Sequence, residues 1–277
     1  MTMKKRIFRI LECILLIILF LMFVFPFYWT LITSVKGLYE AVAYPPTFWP
    51  TEFHFENYAE AWRYADFPHF GKNSIIMSFG ATLISMISCT MAAYGFARFE
   101  FRGKKGLFYL MMADIIIPAQ VIFLPIFVMY SRMHILNTYT SYFMLFVYSG
   151  SMIFFLRNAF KQVPAELVEA ARLDGASEFS VMFRVMLPAV KPFMVTQIMM
   201  TFISKWNGYF WVQTLTTNDN IRTLPIAMNR LSSVGEEFIS AWNVTMAGNV
   251  MLMAPLLILY IFANRQIKVA FIGNGIK

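Results

Sequence analysis

A long apolar run near the start of the chain most constrains how this protein can fold. The run extends from Ile7 to Trp29, and charges interrupt it mainly at Arg9 and Glu12. About 20 apolar residues in a helix are enough to cross the roughly 30 Å hydrocarbon core of a bilayer. The length of the run and the lack of an Ala-x-Ala-like exit predict a retained membrane span rather than a cleaved signal peptide.

Further runs of this kind predict an all-α, polytopic membrane protein. The chain has 59% hydrophobic and only 14% charged residues, which is far more apolar than a soluble domain. We predict one membrane domain over residues 1–277 with six transmembrane helices, at about 8–30, 71–97, 107–130, 138–158, 187–210 and 243–264. Pro118 and Pro125 predict a kink in the third helix.

The basic residues predict the orientation of these helices. An even number of spans places both termini on one side, and most of the 23 Lys and Arg residues fall on that side. Because cytoplasmic loops are enriched in Lys and Arg, we expect both termini in the cytoplasm. The net charge of +8 is then explained without nucleic acid as a partner. Residues 36–70 are expected to form a folded outer loop on the membrane surface, and 216–241 a second outer segment.

The connecting segment, residues 159–186, is unusually polar for its position between two spans. Pro164 favours the start of a helix, and Glu169 places negative charge near the positive end of that helix. The helix is expected to end at Asp174, because Gly175 suits a left-handed helix end.

A second short helix is predicted after this turn. Ser177 is suited to cap it, and apolar residues follow at helical spacing: Phe179, Met182, Phe183 and Met186. Leu187-Pro188 is expected to close the motif and to begin the fifth span, because proline disfavours helix at the residue before it. Small side chains at Ala170 and Ala171 would allow the first helix to dock closely in a groove. An amphipathic loop on the headgroups is the alternative, but the mixed charges favour a protein partner.

The connecting segment resembles the EAA loop of permease subunits in binding-protein-dependent ABC importers. The matching residues are Glu169-Ala170-Ala171, Asp174-Gly175-Ala176, and Leu187-Pro188 with Pro192. The Asp-Gly-Ala form is similar to that of carbohydrate importers, particularly the smaller of the two permeases in maltose-type systems. The resemblance extends over nearly the whole chain, through Asn73-Ser74, Ala93-Tyr94, Ala97-Arg98, Leu136-Asn137-Thr138, Trp206-Asn207 and Thr223-Leu224-Pro225.

The resemblance implies a bacterial or archaeal cytoplasmic (inner) membrane importer of several subunits. The partners would be a second permease subunit, a dimer of ATP-binding subunits and an extracytoplasmic solute-binding protein that delivers a sugar, with an oligosaccharide as the central expectation. The implied ATPase-coupling residues are Glu169, Ala170, Ala171, Asp174, Gly175, Leu187 and Pro188, with Glu169 as the pairing residue and Gly175 as the hinge. Gln266, Gly275 and Lys277 resemble a tail that contacts the ATPase.

No cofactor, metal or catalytic residue is expected on this chain itself. It has no Gly-x-x-x-x-Gly-Lys-Ser/Thr loop, so ATP and Mg would be bound by the partner ATPase subunits. His54, His69 and His134 are isolated, which argues against a membrane-embedded enzyme. Cys13 and Cys89 lie in apolar runs and are interpreted as hydrophobic filler.

Three residues are candidates for the transport path. Asp114 is a carboxylate inside the third span, either lining a cavity or serving as a structural hydrogen-bond or ion-pair partner. Trp206 and Asn207 offer an aromatic face and an amide suited to a sugar ring, although an interfacial aromatic anchor explains the tryptophan equally well. A secondary transporter, for which only Asp114 would qualify as an ion or proton site, and a non-transporting scaffold remain the alternative functions.

Overall fold

The computed structural model describes residues 3–231 and 241–272, which form helices joined by short turns, and it confirms the predicted all-α fold. In chain order the helices are α1 (Met3–Thr33), α2 (Leu38–Ala41), α3 (Glu56–Tyr64), α4 (Phe67–Arg98), α5 (Lys104–Met112) with a 3₁₀ turn (Ala113–Ile115), α6 (Ala119–Arg132), α7 (Tyr139–Leu145), α8 (Gly150–Lys161), α9 (Ala165–Leu173), α10 (Glu178–Val181) with a π turn (Met182–Met186), α11 (Leu187–Ala189), α12 (Lys191–Trp206), α13 (Phe210–Leu215), α14 (Leu224–Leu231) and α15 (Trp242–Ile272).

Six stretches of the described chain are long and apolar enough to cross a membrane, if each bent pair of helices is counted as one span. Three are continuous: Phe8–Thr33, Phe67–Arg98 and Trp242–Arg265. The other three are helix pairs bent by 99°, 50° and 85°: Lys104–Ile115 with Ala119–Arg132, Tyr139–Leu145 with Gly150–Lys161, and Glu178–Ala189 with Lys191–Trp206. The six predicted spans are retained in this count, and the kink predicted in span three is present, whereas the sequence did not predict the bends in spans four and five.

The bend in span three has its cause at Pro118. This residue has an extended backbone (φ −61°, ψ 136°) and caps the N-terminus of α6. Proline lacks the N–H that would continue the helix from the 3₁₀ turn, so the chain changes direction there. Pro125, the second predicted kink residue, lies inside α6.

The bend in span four leaves backbone carbonyls without helical partners, and serine side chains of α4 compensate. The Ser85 hydroxyl donates to the Phe146 carbonyl at 2.5 Å, and the Ser88 hydroxyl donates to the Val147 carbonyl. Ser149 then caps α8 by accepting a hydrogen bond from the Met152 N–H at 3.4 Å. A break at membrane depth is tolerated where protein groups satisfy the exposed backbone in this way.

The helix break in span five lies at Val190, after Leu187-Pro188, where the sequence predicted it. Leu187 is helical (φ −62°, ψ −45°), and its N–H donates to the Met182 carbonyl, five residues back, across the π turn. This hydrogen bond, from residue i to residue i−5, gives the helix a wider turn just before Pro188. The helix therefore continues to Ala189. The turn occurs at Val190 (φ −105°, ψ 17°), and Pro192 lies in the first turn of α12.

The chain divides into two compact units. One contains the residues up to Pro68 together with Ala227–Pro255, and the other contains His69–Ile226 and the residues from Leu256 onward. The prediction of a single membrane domain over 1–277 stays a prediction.

In the first unit, the outer loop is folded by buried polar contacts. The Lys36 ammonium is buried and donates to the Thr47 carbonyl at 2.5 Å. The Asn57 amide donates to the Ser34 and Lys36 carbonyls at 3.0 and 2.9 Å and accepts from the Asn243 amide at 3.0 Å.

In the second unit, several residues of the quoted family pattern meet at one turn. The Asn73 amide donates to the Asn220 and Arg222 carbonyls at 3.0 and 2.9 Å, and the Ser74 hydroxyl accepts from the Leu224 N–H at 2.8 Å. The side-chain amide oxygen of Asn137 accepts from the Thr217 N–H at 2.7 Å. The contacts of Asn73 and Ser74 hold residues 220–224 against α4.

Candidate functional site

The first helix of the connecting segment forms as the sequence predicts. Pro164 is extended (φ −54°, ψ 138°) and caps α9, which ends with Asp174 in the cap position. Gly175 follows in the left-handed region at φ +81°, where a side chain would strain the backbone. Ser177 then caps α10 by accepting from the Ser180 N–H at 3.4 Å.

Helix α9 has one face toward the core and one open face. Val168 is buried, and Ala171 packs partly against the same cluster. Glu169 and Ala170 are exposed, and Leu173 is 88% exposed. The 3.6-residue repeat therefore separates the two adjacent alanines, and only Ala170 lies on the open face.

The next turn is amphipathic, as expected. Met182 and Met186 are buried, whereas Phe179 and Phe183 are 64% and 58% exposed. The segment that follows α9 in the chain thus exposes two aromatic rings one helical turn apart. Leu187 packs partly against the core, and Pro188 is exposed.

A network of side-chain hydrogen bonds joins the connecting segment to the membrane helix α4. The Tyr94 hydroxyl donates to one oxygen of Glu178 at 2.6 Å. Arg172 donates to both oxygens of Glu178, at 2.8 and 3.2 Å, and these hydrogen bonds raise the pKa of Arg172. A bidentate, charge-assisted pair restricts both side chains, so α9 and α10 are linked to each other and to α4.

Arg98 makes a second link one turn further along α4. Its guanidinium donates to the Phe160 carbonyl at 2.8 Å and to the Val163 carbonyl at 2.6 Å. These carbonyls lie at the C-terminal end of α8, where the helix dipole favours a cation. Sequence reasoning did not assign this role to Tyr94 or Arg98, although their i, i+4 spacing at the end of an apolar helix was a usable signal.

Three residues near the end of the chain were predicted to form a tail that contacts the ATPase. Gln266 lies within α15, but its side chain is outside the described part of the structure. Gly275 and Lys277 are outside the described residues. A contact of this tail with an ATPase stays a prediction.

The candidates for the transport path have structural contacts. Asp114 is exposed, and its carboxylate accepts from the Gly150 N–H at 2.9 Å, at the first turn of α8. Trp206 is 4% exposed and stacks on Phe202 with ring centroids 5.8 Å apart, whereas Asn207 is exposed. The tryptophan ring is therefore not an open platform in this conformation, and a substrate contact by any of the three stays a prediction.

One half-buried cation next to Trp206 in the chain was not singled out from the sequence. The Lys205 ammonium lies 3.3 Å from the centroid of the Phe146 ring, a cation–π arrangement. Among the described residues, no group of three His, Cys, Asp or Glu side chains is placed to hold a metal ion.

Two named relatives are similar in sequence to this chain over nearly its full length. It is 26% identical over 275 residues to the arabinooligosaccharides transport system permease protein AraQ of Bacillus subtilis, with 98% of this chain and 96% of the relative covered. It is 30% identical over 266 residues to the diacetylchitobiose uptake system permease protein NgcG of Streptomyces coelicolor, with 95% and 87% covered.

The fold matches a solved structure. A chain of a bacterial ABC transporter involved in the import of the acidic polysaccharide alginate superposes with a TM-score of 0.85 at 24% identity, covering 96% of this chain and 98% of that one. Residues 84–268 match the family described as binding-protein-dependent transport system inner membrane component, and this stretch contains the whole connecting segment. The chain therefore belongs to the family of binding-protein-dependent transport system inner membrane components.

Proposed function

We propose that this chain is one of two permease subunits of an ATP-driven sugar importer and that its connecting segment couples the membrane helices to a cytoplasmic ATPase. The observation that carries the proposal is the open face of α9 and α10, with Glu169, Leu173 and Phe179 exposed, on a segment joined to α4 through Tyr94 and Arg98. A partner bound to that face acts on a membrane helix through directional hydrogen bonds.

The coupling requires an ATPase that binds two states of the permease differently. A partner with equal affinity for both states shifts neither. Changing the ratio of the states from 1:99 to 99:1 needs about 5.5 kcal/mol of differential binding. In the proposal, ATP and Mg on the partner subunits supply this difference, and Glu169 forms the ion pair while Ala170 and Gly175 permit close approach and turning.

The proposed substrate is an oligosaccharide. This rests on the full-length similarity to permeases named for arabinooligosaccharides and diacetylchitobiose, and on the fold shared with a transporter of alginate. A second solved structure of that fold is described with an alginate pentasaccharide-bound periplasmic protein, at 16% identity and a TM-score of 0.71. An extracytoplasmic solute-binding protein is accordingly included in the proposed assembly, with both termini of this chain in the cytoplasm.

The test is purification of the assembled complex through a tag on this chain, followed by transport assays in proteoliposomes. We expect a second permease and an ATP-binding subunit to copurify, and ATP inside the vesicles to drive uptake of sugar delivered by the binding protein. Glu169→Lys should reduce the recovered ATPase or the sugar transported per ATP hydrolysed by at least about tenfold, because it reverses the charge on the open face.

Glu52→Lys is the matched control, because Glu52 is also exposed but lies in the outer loop of the other unit. This variant should leave ATPase recovery unchanged. Copurification without any ATP-binding subunit, or full ATP-coupled uptake by Glu169→Lys, would contradict the coupling role.

The proposed orientation has its own test. Cysteines introduced at exposed positions near either terminus should react only with membrane-permeant thiol reagents in intact cells.

A further inference from the structure

A cavity of about 670 Å³ lies in the second unit, where α4 ends and the chain turns into α5. Its walls come from three places: the end of α4 with the turn after it, the first two turns of α5, and the C-terminal end of α8. All three are the ends of apolar helices, so the cavity lies where the hydrocarbon core gives way to the headgroups. It is separate from the α9–α10 face and from Asp114.

The charge of this cavity is strongly positive. Lys104, Lys105, Arg157 and Lys161 line it, against one carboxylate, Glu100. That carboxylate is already satisfied, because the Lys104 ammonium donates to it at 2.7 Å and thereby lowers the pKa of Glu100. Three cations remain for an external anion.

Arg157 is held in place for such an anion. Its guanidinium carbon lies 4.2 Å from the centroid of the Phe108 ring, and its Nε donates to the Phe96 carbonyl at 3.2 Å. In the part of the chain that the structure describes, its two terminal nitrogens form no hydrogen bond within the protein. A guanidinium with a fixed orientation and unused donors matches the geometry of a phosphate group.

Next to the cations, the cavity is lined by exposed aromatic side chains. Tyr109 is 72% exposed and Phe101 is 43% exposed, and both line the cavity. An inorganic anion would leave these side chains in water, whereas acyl chains would cover them. The ligand that satisfies both surfaces carries a phosphate and hydrocarbon chains together.

We propose that this cavity binds an anionic phospholipid, with the phosphate between Lys105, Arg157 and Lys161 and the acyl chains along Phe101 and Tyr109. Basic pockets at the headgroup level of membrane helices are suited to anionic lipid headgroups, and each lysine or arginine adds to the attraction. A zwitterionic lipid lacks the net negative charge that the three cations require. The site holds one lipid independently of the sugar carried.

The test is native mass spectrometry of the assembled, detergent-purified complex titrated with dioctanoyl phosphatidylglycerol, and in parallel with dioctanoyl phosphatidylcholine or inorganic phosphate. We expect a phosphatidylglycerol adduct with at least roughly tenfold higher affinity than the phosphatidylcholine adduct. The double variant K105Q/K161Q should weaken phosphatidylglycerol binding on the order of tenfold, and both side chains are exposed, so folding is preserved. Added salt should weaken the wild-type adduct.

R132Q is the matched control, because it removes an exposed charge at the other end of span three. It should bind phosphatidylglycerol as the wild type does. Equal phosphatidylglycerol affinities for the wild type and K105Q/K161Q would overturn the proposal. It would also be overturned if phosphatidylcholine bound as tightly as phosphatidylglycerol, or if inorganic phosphate alone displaced the lipid at equal concentration.

Discussion

The Tyr94 hydroxyl donates a hydrogen bond to the Glu178 carboxylate at 2.6 Å across 84 residues of sequence. Tyr94 belongs to a long membrane helix and Glu178 begins the short helix after Gly175. The other oxygen of the same carboxylate accepts from Arg172. The Glu178 carboxylate therefore takes part both in an ion pair with Arg172 inside the connecting segment and in the hydrogen bond to Tyr94 of α4. A displacement of α9 consequently changes the geometry at α4.

Replacing Tyr94 by phenylalanine should weaken this attachment while keeping the ring. We expect a loss of about 1 kcal/mol of stability in the segment, because one hydrogen bond to a half-exposed carboxylate is removed. Hydrogen exchange of the α9 and α10 amides in the purified complex would measure it. Tyr109→Phe, which removes an exposed hydroxyl from α5, should have no such effect. Unchanged exchange in Tyr94→Phe would mean that the hydrogen bond carries no restraint.

Replacing Gly175 by alanine should cost about 1 kcal/mol of stability, because the left-handed φ of +81° is unfavourable for a residue with a Cβ. Gly106→Ala is the matched control: nothing lies within 4 Å of a Cβ at either glycine, but Gly106 is inside α5. That change should be neutral or stabilising by up to about 1 kcal/mol. Thermal unfolding of the purified complex would compare the two, and equal shifts would show that the backbone conformation is not the cause.

Replacing Gly150 by alanine should destabilise span four. A Cβ at this position would overlap the Asp114 carboxylate and the Met111 carbonyl, so one of these groups must move. Overpacking of this kind costs about 1–3 kcal/mol. Asp114→Asn, which retains an acceptor for the Gly150 N–H, should be milder than Asp114→Ala in the same unfolding measurement. Equal destabilisation by the two variants would argue that the charge of Asp114, and not its hydrogen bond, matters.

The outer loop should lose stability in acid because of Glu40. Burial raises the pKa of this carboxyl, but hydrogen bonds from Thr47 and Thr51 outweigh that effect, so its pKa lies below the ordinary value of 4.5. A depressed folded-state pKa gives stability that is present above 4.5 and is lost as the pH falls through the folded value. Hydrogen exchange of residues 38–51 at decreasing pH would measure this loss.

Glu40→Gln should be less stable than the wild type near neutral pH and should show a weaker response to acid. An identical acid response in the wild type and the variant would assign the loss to other groups. Glu52→Gln, which changes an exposed carboxyl of the same loop, should respond to acid as the wild type does.

The membrane class, the approximate spans and the helix from Pro164 to Gly175 follow from local information. A bilayer demands long apolar helices, and proline and glycine have backbone preferences that act within a few residues. The connecting segment could be located for the same reason, whereas a coupling role for it stays a prediction from the resemblance. The resemblance to a permease family rested on residue pairs such as Asn73-Ser74 and Thr223-Leu224, and these two pairs meet in the structure through the Ser74 hydroxyl and the Leu224 N–H.

The sequence by itself thus determined that the chain is a helical membrane protein whose connecting segment begins with a helix ending at Gly175. Only the tertiary structure decided that span four is bent, because its break is stabilised by Ser85 and Ser88 on α4, which are distant in sequence. It also decided that Arg172 pairs with Glu178 and that Arg98 binds the end of α8. Such partners are chosen by packing between helices far apart in sequence, and no local preference encodes that choice.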